Sequence, residues 1–138
     1  MDSINFPQPI RILLVGLSDG FARSASRYIE GDMRMLLTGI APSLTLNEML
    51  VSFTRPDVIL LDWFTLHAAP VELIRTVRQT YPALRLVCLA NEGEPYRAAA
   101  VSAGADALIS TDTFAGELEL LLGELFPERF IALQGENE

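Results

Sequence analysis

The stretch Arg55-Pro56-Asp57-Val58-Ile59-Leu60-Leu61-Asp62 decides how this chain is read. Four apolar residues, the first two β-branched, run without alternation between two aspartates. A short unalternating apolar run suits a strand covered on both faces, as in a parallel sheet. Working outward, four more such runs occur, at Ile10–Val15, Met35–Ile40, Leu84–Ala90 and Ala107–Ser110. Helical stretches with recognisable signals separate them. Ser18 is placed to N-cap a first helix to Glu30, with Gly31 at its C′ position. Thr45-x-x-Glu48 forms a capping box for a second helix reaching about Arg55. Pro70 opens a third helix to about Thr80, and Pro95 a fourth that stops at Gly104. Thr113 is placed to cap a fifth, where Phe114, Leu118, Leu121, Leu122 and Leu125 form one apolar stripe and Pro127 follows the end.

Strand–helix alternation five times over predicts βαβ units and a parallel sheet. The expected architecture is a single doubly wound α/β domain, (βα)5, with five parallel strands in the flavodoxin-like order 2-1-3-4-5. Residues 1–9 read as a loose lead-in, 10–127 as the domain and 128–138 as a C-terminal tail. In such a sheet a ligand or reaction sits in the crevice at the carboxyl ends of the strands. Asp62 is the only carboxylate that the pattern places at a strand end there. Asp57 opens the same strand and belongs at the opposite edge.

Composition narrows the function classes. The chain has 138 residues, half of them hydrophobic, and a mean hydropathy of +0.30, which suits one packed domain. No run approaches the ~18 apolar residues of a membrane span, and Met1-Asp2-Ser3-Ile4-Asn5 does not resemble a secretory signal. A cytoplasmic location without membrane contact is the expectation. A net charge of −8 argues against nucleic-acid binding through phosphates, which needs clustered Lys and Arg. A single cysteine, Cys88, excludes an internal disulfide and a multi-cysteine metal site.

The Arg55–Asp62 segment, together with Ala103-Gly104-Ala105-Asp106-Ala107-Leu108, resembles the receiver (CheY-like) domain of two-component response regulators. The resemblance covers Ile10 to Phe126. It implies that Asp62 stands at the position of the aspartate that takes a phosphoryl group from a histidine kinase. It also implies partners for that aspartate: an acidic pair after the first strand to hold Mg²⁺, a Thr or Ser after the fourth, a Lys after the fifth and a switching Tyr or Phe within the fifth. This sequence departs at each of these. Gly16 and Leu17 replace the acidic pair, Ala90 the hydroxyl residue, Thr111 the Lys and Leu108 the aromatic residue. Leu66 and His67 replace the usual Pro and Gly of the loop after Asp62. Phosphoryl transfer rests on positioning and on neutralising oxygen charge, so losing the metal ligands, the cation and the hydroxyl together removes the chemistry.

Other residues have a sharp and a bland reading. Asp19 or Glu92 would have to reach the site for phosphorylation to survive; Asp19 sits where a helix cap is the simpler reading. His67 is either a base beside Asp62 or a solvent-facing loop residue. Cys88, within an apolar strand, reads as a buried inert thiol. Trp63 either covers the crevice or packs in the core. Gly16-Leu17-Ser18-Asp19-Gly20 lacks the spacing of a phosphate-binding glycine loop. On the outer face of the fifth helix, Gly116, Leu120 and Gly123 fall together, and with Arg97 and Ala98 of the fourth they form the expected interaction surface.

The sequence therefore predicts a pseudo-receiver: no enzyme, no cofactor and no bound metal. It would act through a signalling protein partner, a histidine kinase or an output protein, with homodimerisation open. The alternatives are a working phosphoreceiver in a phosphorelay, with Asp62 as acceptor, and a small-molecule-binding regulatory module.

Overall fold

The structure, a computed structural model, describes residues 7–42, 48–64, 70–91 and 94–131. Its elements follow the order β1 (Ile10–Val15), α1 (Asp19–Glu30), β2 (Met35–Ala41), α2 (Glu48–Thr54), β3 (Val58–Asp62), α3 (Pro70–Thr80), β4 (Arg85–Ala90), α4 (Glu94–Ala103), β5 (Ala107–Ser110) and α5 (Phe114–Leu125). The five strands form one parallel sheet in the order β2-β1-β3-β4-β5. This is the doubly wound arrangement that the alternation of apolar runs and helix signals predicts.

Burial on both faces explains why the strands do not alternate in polarity. Ile10, Ile12 and Leu14 of β1, Val58 and Leu60 of β3, and Val87 and Leu89 of β4 pack with Ala25 and Ile29 of α1 and with Phe114, Leu118 and Leu122 of α5. The intervening residues Leu13, Ile59, Leu61, Leu86 and Cys88 pack with Ile74 and Val77 of α3 and with Ala100 and Ala103 of α4. Both sets are apolar because each face of the sheet carries a helical layer. Right-handed crossovers put α1 and α5 on one side, since the chain first steps from β1 outward to β2 and then returns across β3, β4 and β5.

Local signals act less uniformly than the sequence suggests. Ser18 occupies the N-cap of α1, but its carbonyl, not its side chain, closes the first turn, accepting the Ala22 N–H at 2.7 Å. Gly31 ends α1 with φ −85°, so no left-handed cap forms. The Thr113 hydroxyl turns to the Glu117 carboxylate instead of capping α5. Thr45 lies outside the described residues. Gly104, by contrast, has φ +126°, a conformation that favours glycine, and a Cβ there would meet the Arg78 side chain at 3.0 Å. In β2, Thr38 is an extra residue: the register passes from Ile12↔Leu37 to Leu13↔Gly39, and the Thr38 hydroxyl donates to the Ile12 carbonyl at 3.1 Å.

The expected tail from residue 128 needs correction. Phe130 is buried against the α1/α5 layer, with the Arg34 guanidinium 4.1 Å over its ring. Arg129 donates to the carbonyls of Gln8 and Pro9 and to Asp57. The packed unit thus runs to Phe130, and Pro127 marks only the end of the helix. We expect Phe130→Ala to lower the unfolding free energy in urea by about 3 kcal/mol. Truncation after residue 127 should destabilise the domain more than truncation after residue 131.

Candidate functional site

Asp62 ends β3, half-buried, opposite Leu89 of β4. Its Oδ1 accepts the Phe64 N–H at 2.9 Å, so the carboxylate closes a tight turn just beyond the strand. The Trp63 N–H meanwhile extends the ladder to the Leu89 carbonyl at 2.8 Å. Asp62 thus stands where the β3 ladder ends and a side-chain-closed turn begins.

Gly16 has φ +76° and donates its N–H to the Ala41 carbonyl at 2.9 Å. Glycine adopts this left-handed conformation at no steric cost, whereas most side chains would be strained there. Leu17 packs against the α1/α5 core. Ala90 is buried and supplies only its carbonyl, which accepts the Thr111 N–H at 3.1 Å. The Thr111 hydroxyl donates to Asn91 Oδ1 at 2.7 Å, and the Ser110 hydroxyl to the Asn91 carbonyl at 3.2 Å. These neutral bonds tie the ends of β4 and β5 to each other. Glu117 completes the set, accepting the Ser110 N–H at 3.2 Å. Among the described residues, no three carboxylate, imidazole or thiol groups gather where a metal ion would bind. Leu66, His67 and Glu92 lie outside the described residues.

Leu108 is buried in the α3/α4 layer. Where the resemblance implies a mobile aromatic switch on β5, an aliphatic side chain fills the core. The aromatic residues lie elsewhere. Trp63 is buried and packs with Tyr96 of α4 at 5.8 Å between ring centroids, and Phe64 meets the same ring edge-on at 5.0 Å. Of the two readings of Trp63, core packing is the one the geometry supports. Phe64 remains 54% exposed. Tyr96 was not singled out by the sequence; its place one residue after Pro95, in the first turn of α4, is the only signal that could have found it.

The expected interaction surface divides. Gly116 is exposed, Gly123 is half-buried and Leu120 is 73% exposed. They line a groove of about 310 Å³ completed by Arg34, Glu119 and Phe130. No α4 residue lines it. Arg97 is half-buried and donates to the Leu108 carbonyl at 2.9 Å, fastening α4 to β5, while Ala98 is exposed. Right-handed crossovers place α4 on the other layer, so the groove is finished by Arg34, just before β2, and by Phe130 instead.

Asp57 lies at the opposite edge, as its position at the start of β3 predicts. It accepts the Arg11 N–H at 2.9 Å and Arg129 Nη2 at 2.7 Å. Cys88 is buried, and burial first, then the charge of Asp62, pushes its thiol up to about 12. The thiolate that reacts with electrophiles is then scarce at neutral pH. We expect Cys88 to resist Ellman's reagent in the native protein at about pH 8 and to react fully once urea unfolds it. Rapid native labelling would contradict this burial.

No family model and no curated protein matches the sequence. Solved structures do. The chain is similar to a LuxR-family two-component response regulator from Aurantimonas sp. SI85-9A1, with a TM-score of 0.75 and 22% identity, covering 88% of this chain and 87% of that one. The signal receiver domain of the putative response regulator NarL from Mycobacterium tuberculosis gives a TM-score of 0.75 and 19% identity over 89% of this chain and 100% of that one. The RcsB response regulator of Salmonella typhimurium gives 0.75 and 13% identity over 92% of this chain; the chain spans 64% of its length. At these identities the likeness establishes the fold alone: the chain has the fold seen in the receiver domains of response regulators. Among the described residues no helix is long and apolar enough to cross a membrane.

Proposed function

We propose that this receiver-fold domain works in two-component-type signalling as a pseudo-receiver, binding a signalling protein without taking up a phosphoryl group. The observation that carries this reading is the state of the strand-end crevice. Its single strand-end carboxylate closes the Asp62–Phe64 turn, beside a glycine in a left-handed conformation and a buried alanine. A Mg²⁺ ion gives up water only for clustered oxygen ligands, and Gly16 and Leu17 offer no side-chain oxygen. Thr111 can donate one hydrogen bond but supplies no positive charge to a transferring phosphoryl group. Its hydroxyl is also engaged with Asn91. In this reading the domain is not an enzyme and needs no cofactor.

Trp63 adjoins Asp62 and is the only tryptophan, so it reports on the site directly. Its fluorescence should stay flat through a millimolar Mg²⁺ titration and on adding acetyl phosphate or a beryllofluoride mimic. Asp62→Asn, which retains the turn-closing oxygen, should fold and bind partners like the parent. A saturable quench that disappears in Asp62→Asn, or a phosphate mass mapped to Asp62, would establish a working phosphoreceiver instead.

The surface that would meet the partner is the outer face of α5. A Cβ added at Gly116 or Gly123 would touch nothing within 4 Å, so the domain's own packing does not require glycine there. Each glycine costs a helix about 1 kcal/mol relative to alanine. Close approach of another backbone to the groove around Leu120 gives both residues a reason. Leu120→Glu should leave the melting temperature nearly unchanged, since the side chain is solvent-facing, yet abolish partner capture or self-association. If size by light scattering and all partner binding are unaltered, another face of the domain does the work.

A further inference from the structure

At the amino edge of the sheet, opposite Asp62, an open cleft of about 640 Å³ is lined by Gln8, Pro9, Arg11, Leu36, Arg55 and Arg129. Three of these six residues are arginines and none is acidic, in a chain of net charge −8. We propose that this cleft is an oxyanion-binding site, taking a carboxylate or phosphate group between its guanidinium groups.

Two of the arginines are held in place by the fold. Arg11 donates through Nε to the Arg55 carbonyl at 2.8 Å and through Nη2 to the Thr54 carbonyl at 3.0 Å. Arg129 donates through Nε to the Gln8 carbonyl at 3.3 Å and through Nη2 to the Pro9 carbonyl at 2.9 Å and to Asp57 at 2.7 Å. In both, Nη1 makes no hydrogen bond with the described residues, so each guanidinium is oriented yet keeps donors to give. Orienting side chains in advance lowers the entropy lost on binding. Arg55 differs. Its backbone is fastened, with φ +45° and its N–H donated to the Val51 carbonyl at 2.8 Å. Its side chain is exposed and has no hydrogen bond or ion pair with the described residues. Asp57 is the one carboxylate that contacts any of the three guanidinium groups among the described residues, leaving an excess of positive charge. The planar fork of arginine matches the two oxygens of a carboxylate or phosphate. Leu36, 42% exposed, gives the cleft an apolar wall. An island of positive potential on an acidic protein concentrates anions locally.

This site is independent of the reading of Asp62, and it is tested at the other edge of the molecule. Isotope-labelled protein would be titrated at physiological salt with a hexaglutamate peptide and, in parallel, with inorganic pyrophosphate, following backbone amide shifts. Saturable shifts centred on Leu36, Arg55 and Arg129 are expected with at least one probe, while Trp63 fluorescence stays flat. Arg55→Gln should weaken that binding at least about fivefold, and Arg55→Lys should recover most of it because the charge returns. The Arg55 side chain holds nothing in the fold, so both variants should give the parent spectrum. Saturation by the peptide alone would identify an acidic protein segment as the natural occupant, and saturation by pyrophosphate a free anion. Either supports the site. Absence of saturable shifts with both probes, or equal affinity in Arg55→Gln, would overturn it.

Discussion

Two aspartates that precede strands fix the amino edge of the sheet, and the placement of everything else depends on them. Asp57, just before β3, accepts the Arg11 N–H of neighbouring β1. Asp106, just before β5, accepts the Leu86 N–H of neighbouring β4 at 2.8 Å. Each carboxylate satisfies a donor that a parallel ladder leaves at its start, and each is itself held by arginine. Arg129 reaches Asp57, while Arg78 and Arg85 reach Asp106 at 2.7 and 3.2 Å. These pairs lie partly in solvent, so their energetic value is modest, on the order of 1 kcal/mol. Their importance is geometric. A parallel strand buried on both faces has few polar marks to set its register, because sliding it exchanges one apolar residue for another.

The same arginines sew the helices and termini to that edge. Arg78 of α3 also donates to the carbonyls of Gly104, Pro82 and Leu84, bridging α3 to the turns before β4 and β5. Gly104 is glycine because the Arg78 side chain lies against it in a left-handed turn. Arg34 joins Asp32, Glu119 of α5 and the Ile131 carbonyl while stacking on Phe130. Its hydrogen bonds hold the Asp32 carboxyl below the usual carboxylate range, against the opposing effect of burial. The result is an edge dense in charge-assisted bonds.

The carboxyl edge differs. The Thr111 and Ser110 hydroxyls bond Asn91 there, the carboxylates of Asp62 and Glu117 accept backbone N–H groups, and Phe64 and the buried Trp63 both pack on Tyr96. The ion pairs of Asp57 and Asp106 lie at the amino edge, and the other edge carries the turn that Asp62 closes onto Phe64. An aromatic cluster joins the end of β3 to the first turn of α4.

The sequence by itself determined the architecture, because it follows from local periodicity. Unalternating runs such as Val58–Leu61 have one stable use, a strand covered on both sides, and five of them separated by helix signals leave few topologies. It also exposed the departures around Asp62, since strand ends can be located from where apolar runs stop. What it did not determine were contacts between residues far apart in the chain. Even nearby, Thr113 and Ser18 fit helix caps by type, yet neither side chain caps its helix, and the Thr113 hydroxyl bonds Glu117 instead. Phe130 reads as part of a tail until Arg34, 96 positions earlier by numbering, is seen lying over its ring. The cleft of Arg11, Arg55 and Arg129 has no sequence pattern, because three strand-edge and turn positions converge only once β1 and β3 pair and the C-terminal segment folds back across them. Long side chains reach beyond the period of any element, so only the tertiary structure decides which carbonyl, carboxylate or ring each arginine finds.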